Sequence, residues 1–118
     1  MLLARLSGPL DQRAVAELDE LLAAFIAREG KVNAVFDFSG VSEVVLSAES
    51  LKERGTHRAL MPEQIRVYVS PRSDLYGLGR MFATYQGMAG NREPVIVRTM
   101  EEAHAALGIA DPKFEPVG

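Results

Sequence analysis

The chain of 118 residues is 47% hydrophobic and 25% charged, which suits one globular domain with a buried core rather than two domains. Its formal net charge is −3, so it lacks the broad positive field that nucleic-acid binding usually requires. The sequence contains no cysteine, which excludes disulfides, thiol nucleophiles and thiolate metal sites.

The N-terminal segment predicts a strand followed by a long helix. The strand begins at Leu2 and reaches a Ser-Gly-Pro turn at residues 7–9. Asp11 then stands where a helix N-cap is expected, because its carboxylate can accept N–H groups that the first helical turn leaves unpaired. Apolar residues recur every three or four positions over Gln12–Glu29, which predicts a helix with one buried face. Gly30 is a natural end for that helix, since glycine adopts left-handed backbone conformations without a Cβ clash.

The next segment, residues 31–41, predicts the central strand of the sheet. Its sequence KVNAVFDFSGV combines a short apolar run with a glycine on either side, the pattern of a strand buried on both faces. Asp37 is a candidate site residue, because α/β sheets place functional groups at the ends of their strands. Its carboxylate could equally accept backbone N–H groups from a turn at Ser39 and Gly40, and we favour that interpretation.

A shorter helix and a third strand follow. Ser47 predicts a helix N-cap, and the helix should continue to about Leu60, where an approaching proline ends it. Residues 65–69 alternate between apolar and polar side chains. This period of two predicts a strand whose face bearing Arg66 and Tyr68 is less buried than the other.

The remaining elements repeat the alternation of helix and strand. A longer helix is predicted after Asp74, and a glycine-rich loop over residues 87–94 should follow it. Val95–Val97 predicts another short buried strand. A T-x-x-E capping box at Thr99 then opens a last helix that runs through Leu107.

This order of elements predicts the α/β class. We expect a single domain over residues 1–108, with a mixed or mostly parallel sheet of about four to five strands flanked by about four helices. Residues 109–118 carry two prolines and no periodicity. We therefore expect them to form a C-terminal tail that lies over the surface or is partly disordered.

A second candidate site lies where the third strand leads into the longer helix. Gly77 and Gly79 fall at the start of that helix, with Tyr76 and the cationic side chains of Arg72 and Arg80 nearby. Backbone N–H groups in this context can hold an anion. The segment lacks the third glycine of a dinucleotide-binding motif and the lysine of a P-loop. We therefore favour the alternative that these glycines let the helix pack closely on the sheet.

Three segments together carry a resemblance to a known family. These are LSGPLDQRAVAELDELL, VFDFSGV and VIVRTMEEAHAAL, in that order and spacing. They resemble STAS domains, the sulfate-transporter and anti-sigma-factor-antagonist family, over nearly all of residues 1–108. The segments FDFSGV, RVYVSPRSDLYGLGRMFATYQ and EEAHAAL are most similar to its SpoIIAA-like subgroup of small bacterial proteins, also grouped as STAS/SEC14-like. The resemblance implies a non-enzymatic binding module.

The same resemblance directs attention to one phosphorylation motif. STAS domains of the anti-sigma-factor-antagonist type are phosphorylated within an Asp-Ser-Ser-Gly motif that follows the central strand. Counted from residues 37–41, that motif falls on Val45, Leu46, Ser47 and Ala48. Only Ser47 matches, and it stands at the second serine, so the acidic residue, the acceptor serine and the glycine are all replaced. Ser47 remains the phosphorylation candidate, and we favour the alternative that it is an ordinary N-cap.

We therefore expect a STAS-like binding or regulatory module. Its partner would be another protein or a small apolar or anionic ligand, held between the sheet edge and the helices after Ser47 and Asp74. A lipid-carrier role is an alternative and predicts an apolar cavity. A small hydrolase or transferase that uses Asp37 and His57 is a third and less favoured reading.

Several absences complete these expectations. We expect no cofactor, no metal site and no nucleic-acid partner, and we leave a homo-oligomer open. The longest apolar run, residues 21–27, is too short to cross a bilayer, and the first residues do not resemble a signal peptide. We therefore expect a cytoplasmic protein.

Overall fold

A computed structural model describes residues 1–108 and the backbone of residues 115–117. Its strands form one five-stranded parallel sheet in the order β4-β3-β2-β1-β5. In chain order the strands are β1 (Leu2–Leu10), β2 (Ala34–Val44), β3 (Arg66–Val69), β4 (Val95–Val97) and β5 (Glu115–Val117). The long strand β2 lies at the centre of the sheet, as its apolar run predicts.

Four helices in the described residues connect these strands. They are α1 (Gln12–Glu29), α2 (Ala48–Gly55), α3 (Ser73–Met88) and α4 (Met100–Leu107). The predicted α/β class, the single domain and the mostly parallel sheet are confirmed. Among the described residues, no helix is both long enough and apolar enough to cross a membrane.

Capping residues define the helix ends that the sequence predicts best. The Asp11 carboxylate accepts a hydrogen bond from the Ala14 N–H at 2.8 Å, and the Thr99 hydroxyl accepts one from Glu102 N–H at 3.1 Å. Gly30 has a φ of +83° and ends α1 by donating its N–H to a carbonyl in the last turn. These contacts satisfy backbone groups that a helix end leaves unpaired.

Both predicted turns around the first two strands are wrong. Residues 7–9 lie within β1, and Ser39 and Gly40 lie within β2, because the two strands keep pairing through irregularities in their register. A Cβ at Gly40 would stand 2.9 Å from the carbonyl oxygen of Leu6. That glycine therefore permits the close approach of β1 instead of ending the strand.

The second helix is also shorter than predicted. It ends at Gly55 instead of near Leu60. The Thr56 hydroxyl donates to the carbonyl oxygen of Glu53 at 2.7 Å, and the His57 ring nitrogen Nδ1 lies 2.8 Å from the same oxygen. These side chains satisfy a C-terminal carbonyl that a longer helix would have bonded internally.

Part of the predicted tail belongs to the sheet. Residues 115–117 pair in parallel with Leu2, Leu3 and Ala4 and so extend the sheet beyond β1. The expectation of a surface or disordered tail is therefore wrong for these three residues. The other tail positions, 109–114 and 118, lie outside the described residues.

The two faces of the sheet carry separate cores. Side chains along β2 alternate, so that Phe36 and Phe38 face one side while Val35 faces the other. Helices α1, α2 and α3 cover the first side, which we call the three-helix face. Helix α4 covers the second, where it packs on a core that includes Leu3, Val35, Val67, Val69 and Val97.

Helices cover both faces of β3, and the face that carries Arg66 and Tyr68 is the less buried of the two, as predicted, since Tyr68 is half-buried while Val67 and Val69 are buried. The side chains of Arg66 and Tyr68 point to the three-helix face instead of to solvent. Arg66 is only 5% exposed, and Tyr68 packs against the same core as Phe36. A charged side chain that alternates with valine faces solvent only where no helix covers that face of the strand. Here helices cover both faces.

Candidate functional site

A cleft of about 700 Å³ opens between the three-helix face of the sheet and helices α1, α2 and α3. We call it the three-helix cleft. Its sheet side carries Phe36, Arg66 and Tyr68, and its helices contribute apolar side chains that include Val15, Leu22, Leu51 and Phe82. A smaller space of about 90 Å³ shares several of these residues and extends past Phe38, Leu75 and Leu78. The cleft therefore continues into a mainly apolar interior.

Aromatic rings hold Tyr68 in place within the cleft. Its ring meets Phe36 edge to face, with centroids 5.1 Å apart, and lies nearly parallel to Phe82 at 5.9 Å. Phe38 adds a tilted contact at 5.7 Å. Such ring pairs contribute favourable contacts beyond the apolar area that they bury. Tyr68 is thus a fixed part of the cleft surface.

Arg66 brings a buried positive charge to the same cleft. Its Nη1 donates to the Gln86 side-chain carbonyl at 3.0 Å, and its Nη2 donates to the backbone carbonyl of Arg92 at 2.8 Å. Both acceptors are neutral. The buried Nε has no hydrogen-bond partner in the described structure, and no carboxylate there forms an ion pair with Arg66.

A buried amide network fixes the loop that follows α2. The Gln86 amide nitrogen donates to the carbonyl oxygens of Gly55 at 2.9 Å and His57 at 3.0 Å. The Asn91 side chain accepts the Ala59 N–H at 2.9 Å and donates to the same His57 carbonyl. These bonds satisfy loop backbone groups that packing has removed from water. They hold one edge of the cleft against α3.

An ion pair joins α1 to α2 across the cleft. The Arg54 guanidinium donates to both carboxylate oxygens of Asp19, at 2.8 Å from Nη1 and 2.5 Å from Nη2. Both side chains are 38% exposed. The hydrogen bond from Arg54 to Asp19 is the main reason that the pKa of Arg54 is raised. The paired geometry orients the two helices relative to each other.

The cleft changes the acidity of Tyr68. Burial raises the pKa of its hydroxyl above the usual value, because a phenolate is poorly solvated there. The guanidiniums of Arg66 and Arg54 act in the opposite direction. Tyr68 therefore lies within the electrostatic influence of both cations.

Asp37 and Ser39 lie away from this cleft. The Asp37 carboxylate accepts the Ser39 N–H at 3.0 Å, so the predicted hydrogen bond to Ser39 is confirmed, although it lies within β2 and not in a turn. Its second oxygen lies 4.0 Å from Arg5 Nε. Because Asp37 falls between Phe36 and Phe38 in β2, its side chain points to the α4 face, on the other side of the sheet.

Ser47 lies at the start of α2, where it was predicted. Its hydroxyl oxygen accepts the Ser50 N–H at 3.0 Å, and the Ser50 hydroxyl donates back to the Ser47 carbonyl at 3.0 Å. Ser47 is exposed, so its N-cap role is confirmed and its hydroxyl is accessible. Phosphorylation of Ser47 stays a prediction.

The predicted anion site at the start of α3 is already occupied by a side chain of the protein. Arg72 donates to both carboxylate oxygens of Asp74 at 3.1 Å and also to the Ser42 carbonyl. The hydrogen bond from Arg72 is the main reason that the pKa of Asp74 is lowered. Asp74 thus supplies a negative charge in the first turn of α3, where an anion would bind.

The aromatic residue of this segment lies between cations. The Arg98 guanidinium stands 4.2 Å from the centre of the Tyr76 ring, and that of Arg80 stands 6.0 Å away. Both distances fall in the range of cation–π contacts. Arg80 and Tyr76 therefore form a surface cluster separate from Arg66.

The two glycines of this segment differ in role. A Cβ at Gly79 would lie 3.3 Å from the Ile96 side chain, so close packing of α3 on β4 explains that glycine. A Cβ at Gly77 would meet no atom within 4 Å. The packing interpretation is confirmed for Gly79 and wrong for Gly77.

The structure does not bring together Asp37 and His57, the two residues of the hydrolase or transferase alternative. His57 lines the three-helix cleft, whereas Asp37 points to the opposite face of the sheet. Within the described part of the chain, no three His, Asp or Glu side chains cluster as a metal site would require. The described geometry therefore offers no pairing of these two residues for acid–base chemistry.

The sequence did not identify five polar residues of the cleft as site residues, namely Asp19, Arg54, Arg66, Tyr68 and Gln86. The one signal available was an arginine inside a short strand of a sheet that helices cover. Such a residue must be buried, and a buried charge calls for a partner.

Comparisons of the chain with protein-family models, with curated proteins and with solved structures found no match. The resemblance to STAS domains therefore rests on the sequence segments that carry it.

Proposed function

We propose that this chain is a non-enzymatic binding module of the STAS type whose three-helix cleft holds a small apolar or amphipathic ligand. The observation that carries the proposal is the cleft itself, a space of about 700 Å³ whose lining combines aliphatic and aromatic side chains with a similar number of polar and charged ones. Ligand sites in proteins are concave and mostly apolar, with a few polar groups that fix orientation. A small ligand suits this concave site better than a protein surface does.

The position of the cleft also supports the proposal. It is formed by α2, which follows Ser47, by α3, which carries Asp74 in its first turn, and by α1. The ligand would lie against the face of the sheet rather than at its edge. A carrier for a lipid-like molecule is the form of this function that the apolar extension of the cleft favours.

The STAS-type scaffold is part of the same proposal. It is supported by the order β1-α1-β2-α2 with the sequence FDFSGV inside β2, and by Ser47 at the N-cap of the following helix. Because Val45, Leu46 and Ala48 replace the other residues of the phosphorylation motif, we expect ligand binding and not a phosphoserine switch to regulate the module.

The test is a fluorescence titration with N-phenyl-1-naphthylamine, a neutral apolar probe. We expect saturable binding to the wild-type protein. Leu51 is half-buried on α2 and lines both the cleft and its extension. The substitution Leu51→Trp should fill the cleft and abolish saturable binding.

Leu21→Trp is the matched control. Leu21 is 43% exposed on α1 and does not line the cleft, so the same chemical change there should leave binding intact. Absence of saturable binding to the folded wild-type protein would contradict the proposal. Equal binding by the two tryptophan variants would show that the probe binds outside the three-helix cleft.

A further inference from the structure

Resting on the proposed function, we infer that the ligand is a monocarboxylate with an apolar body, and that Arg66 in the three-helix cleft recognises its carboxylate. Arg66 is buried, with an exposed fraction of only 5%. It lines the cleft, and the oxygens that it contacts, the carbonyls of Gln86 and Arg92 and the hydroxyl of Tyr68, are all neutral. The ligand carboxylate would supply the missing counter-charge.

The cost of burying a charge supports this assignment. A guanidinium removed from water is normally paired with a carboxylate or phosphate. Arg54, on the same cleft, has such a partner in Asp19. Arg66 has no carboxylate partner among the described residues, because its contacts go to the neutral oxygens of Gln86, Arg92 and Tyr68. Arg54 has a carboxylate partner and Arg66 does not. Arg66 is therefore the arginine whose charge a bound ligand would balance.

The charge balance of the cleft interior favours an anion with a single charge. Arg54 and Asp19 neutralise each other as an ion pair, and among the described charged residues that line the cleft only Arg66 is buried, so its positive charge is left uncompensated. Glu20, Glu53 and Arg58 also line the cleft, but all three are exposed to solvent. Water and salt screen exposed charges far more than buried ones. One carboxylate of the ligand would therefore neutralise the remaining positive charge in the cleft.

The geometry of the strands orients the ligand. Arg66 pairs with Ala34 at the start of the strands. Tyr68 lies two residues further along β3, about 7 Å away at the usual strand rise. The apolar extension continues in that direction past Phe38. The carboxylate would thus lie at the Arg66 end, with the apolar body running over Tyr68.

The test compares decanoate with decan-1-ol as competitors of N-phenyl-1-naphthylamine, both below the concentrations at which they aggregate. The two molecules share a ten-carbon chain, and the alcohol lacks the charge. We expect decanoate to compete roughly 10- to 100-fold better against the wild-type protein, the range for a hydrogen bond to a charged group. Arg66→Met should bring the two competitors within about twofold of each other while the neutral probe still binds.

Arg58→Met is the matched control, because it removes the same charge from an exposed position on the cleft. It should keep the preference for decanoate. If circular dichroism shows that Arg66→Met does not fold, Arg66→Gln provides a second neutral variant with a polar side chain. Either neutral variant tests the same loss of preference.

Several results would overturn the inference. Equal competition by decanoate and decan-1-ol in the wild-type protein would show that the cleft does not recognise the charge. A preference that survives in a folded Arg66 variant, or that disappears in Arg58→Met, would assign recognition to another group. In all these cases the neutral probe would still bind, so the proposed function would stand. Failure of the probe itself to bind would contradict the proposed function directly.

Discussion

The three-helix cleft alters the acidity of Tyr68. Burial raises the pKa of its hydroxyl from the ordinary value of 10.0, and the nearby cations of Arg66 and Arg54 offset part of that effect. In the unfolded chain the hydroxyl ionises near its ordinary pKa. Between that pH and the higher folded pKa, the native protein holds a proton that the unfolded chain has released.

The sign of the resulting pH dependence follows from this difference. The contribution of Tyr68 to the free energy of unfolding should be constant below about pH 10 and should decrease as the pH rises from there towards the folded pKa. Tyr68→Phe keeps the ring contacts and removes the titrating group. The tyrosinate absorbance of the wild-type protein minus that of Tyr68→Phe should therefore titrate above pH 10. A difference curve centred at or below pH 10 would contradict this account of the cleft.

Individual site residues were predictable only where their role is local. The N-cap of Ser47 and the turn-like bond between Asp37 and Ser39 depend on neighbours within a few positions, which the sequence displays. Arg66 and Gln86 are separated by twenty positions, and their contact depends on how α3 lies on β3. The alternating pattern around Arg66 shows only that its side chain lies on the opposite face of the strand from its two neighbours. It does not show whether that face is buried. Its burial depends on helices elsewhere in the chain.

At the scale of the elements, the contact between α2 and α3 determines the shape of the cleft. A Cβ at Gly55 would lie 2.6 Å from the Cβ of Tyr85, closer than two such atoms approach in proteins. Gly55 therefore allows α2 to rest against α3. With only eight residues, α2 is about 12 Å long at the usual helical rise. Its ion pair to α1 through Asp19 then bridges the cleft.

Gly55→Ala should separate α2 from α3 and decrease the free energy of unfolding by about 1–3 kcal/mol, as expected for overpacking. Gly77→Ala is the control, because a Cβ there meets no atom within 4 Å. That change should instead increase the free energy of unfolding by roughly 0.5–1 kcal/mol, since alanine favours the helix more than glycine does. Urea denaturation measures both values. If Gly55→Ala proved as stable as the wild-type protein, the close contact would not hold α2 in place.

Helix ends were more predictable than strand ends, and for a physical reason. Asp11, Gly30 and Thr99 each act through hydrogen bonds within one helical turn, so their chemistry appears in the sequence. In β2, Gly40 is required by the close approach of β1, whose residues lie more than thirty positions away in the sequence. Its sequence context resembles a turn, whereas its structural role is a close approach between strands.

At the scale of the whole molecule, alternation of strands and helices was enough to predict the α/β class. The sequence did not reveal which helices share a face, because that depends on how each connection crosses the sheet. Three helices on one face and α4 on the other leave the interior of the first face incompletely filled. The cleft is thus a property of the assembled fold and not of any single segment.

Intermolecular nuclear Overhauser effects between decanoate and the methyl groups of the protein would show whether the three-helix cleft is the ligand site. We expect contacts from the decanoate chain to the methyl groups of Leu22, Leu51 and Met61, which line the three-helix cleft. We expect none to Val35 and Val67, which are buried on the α4 face of the same sheet. Contacts to the valines without contacts to the cleft residues, or no contacts in a sample shown to bind decanoate, would contradict the claim that this cleft is the ligand site.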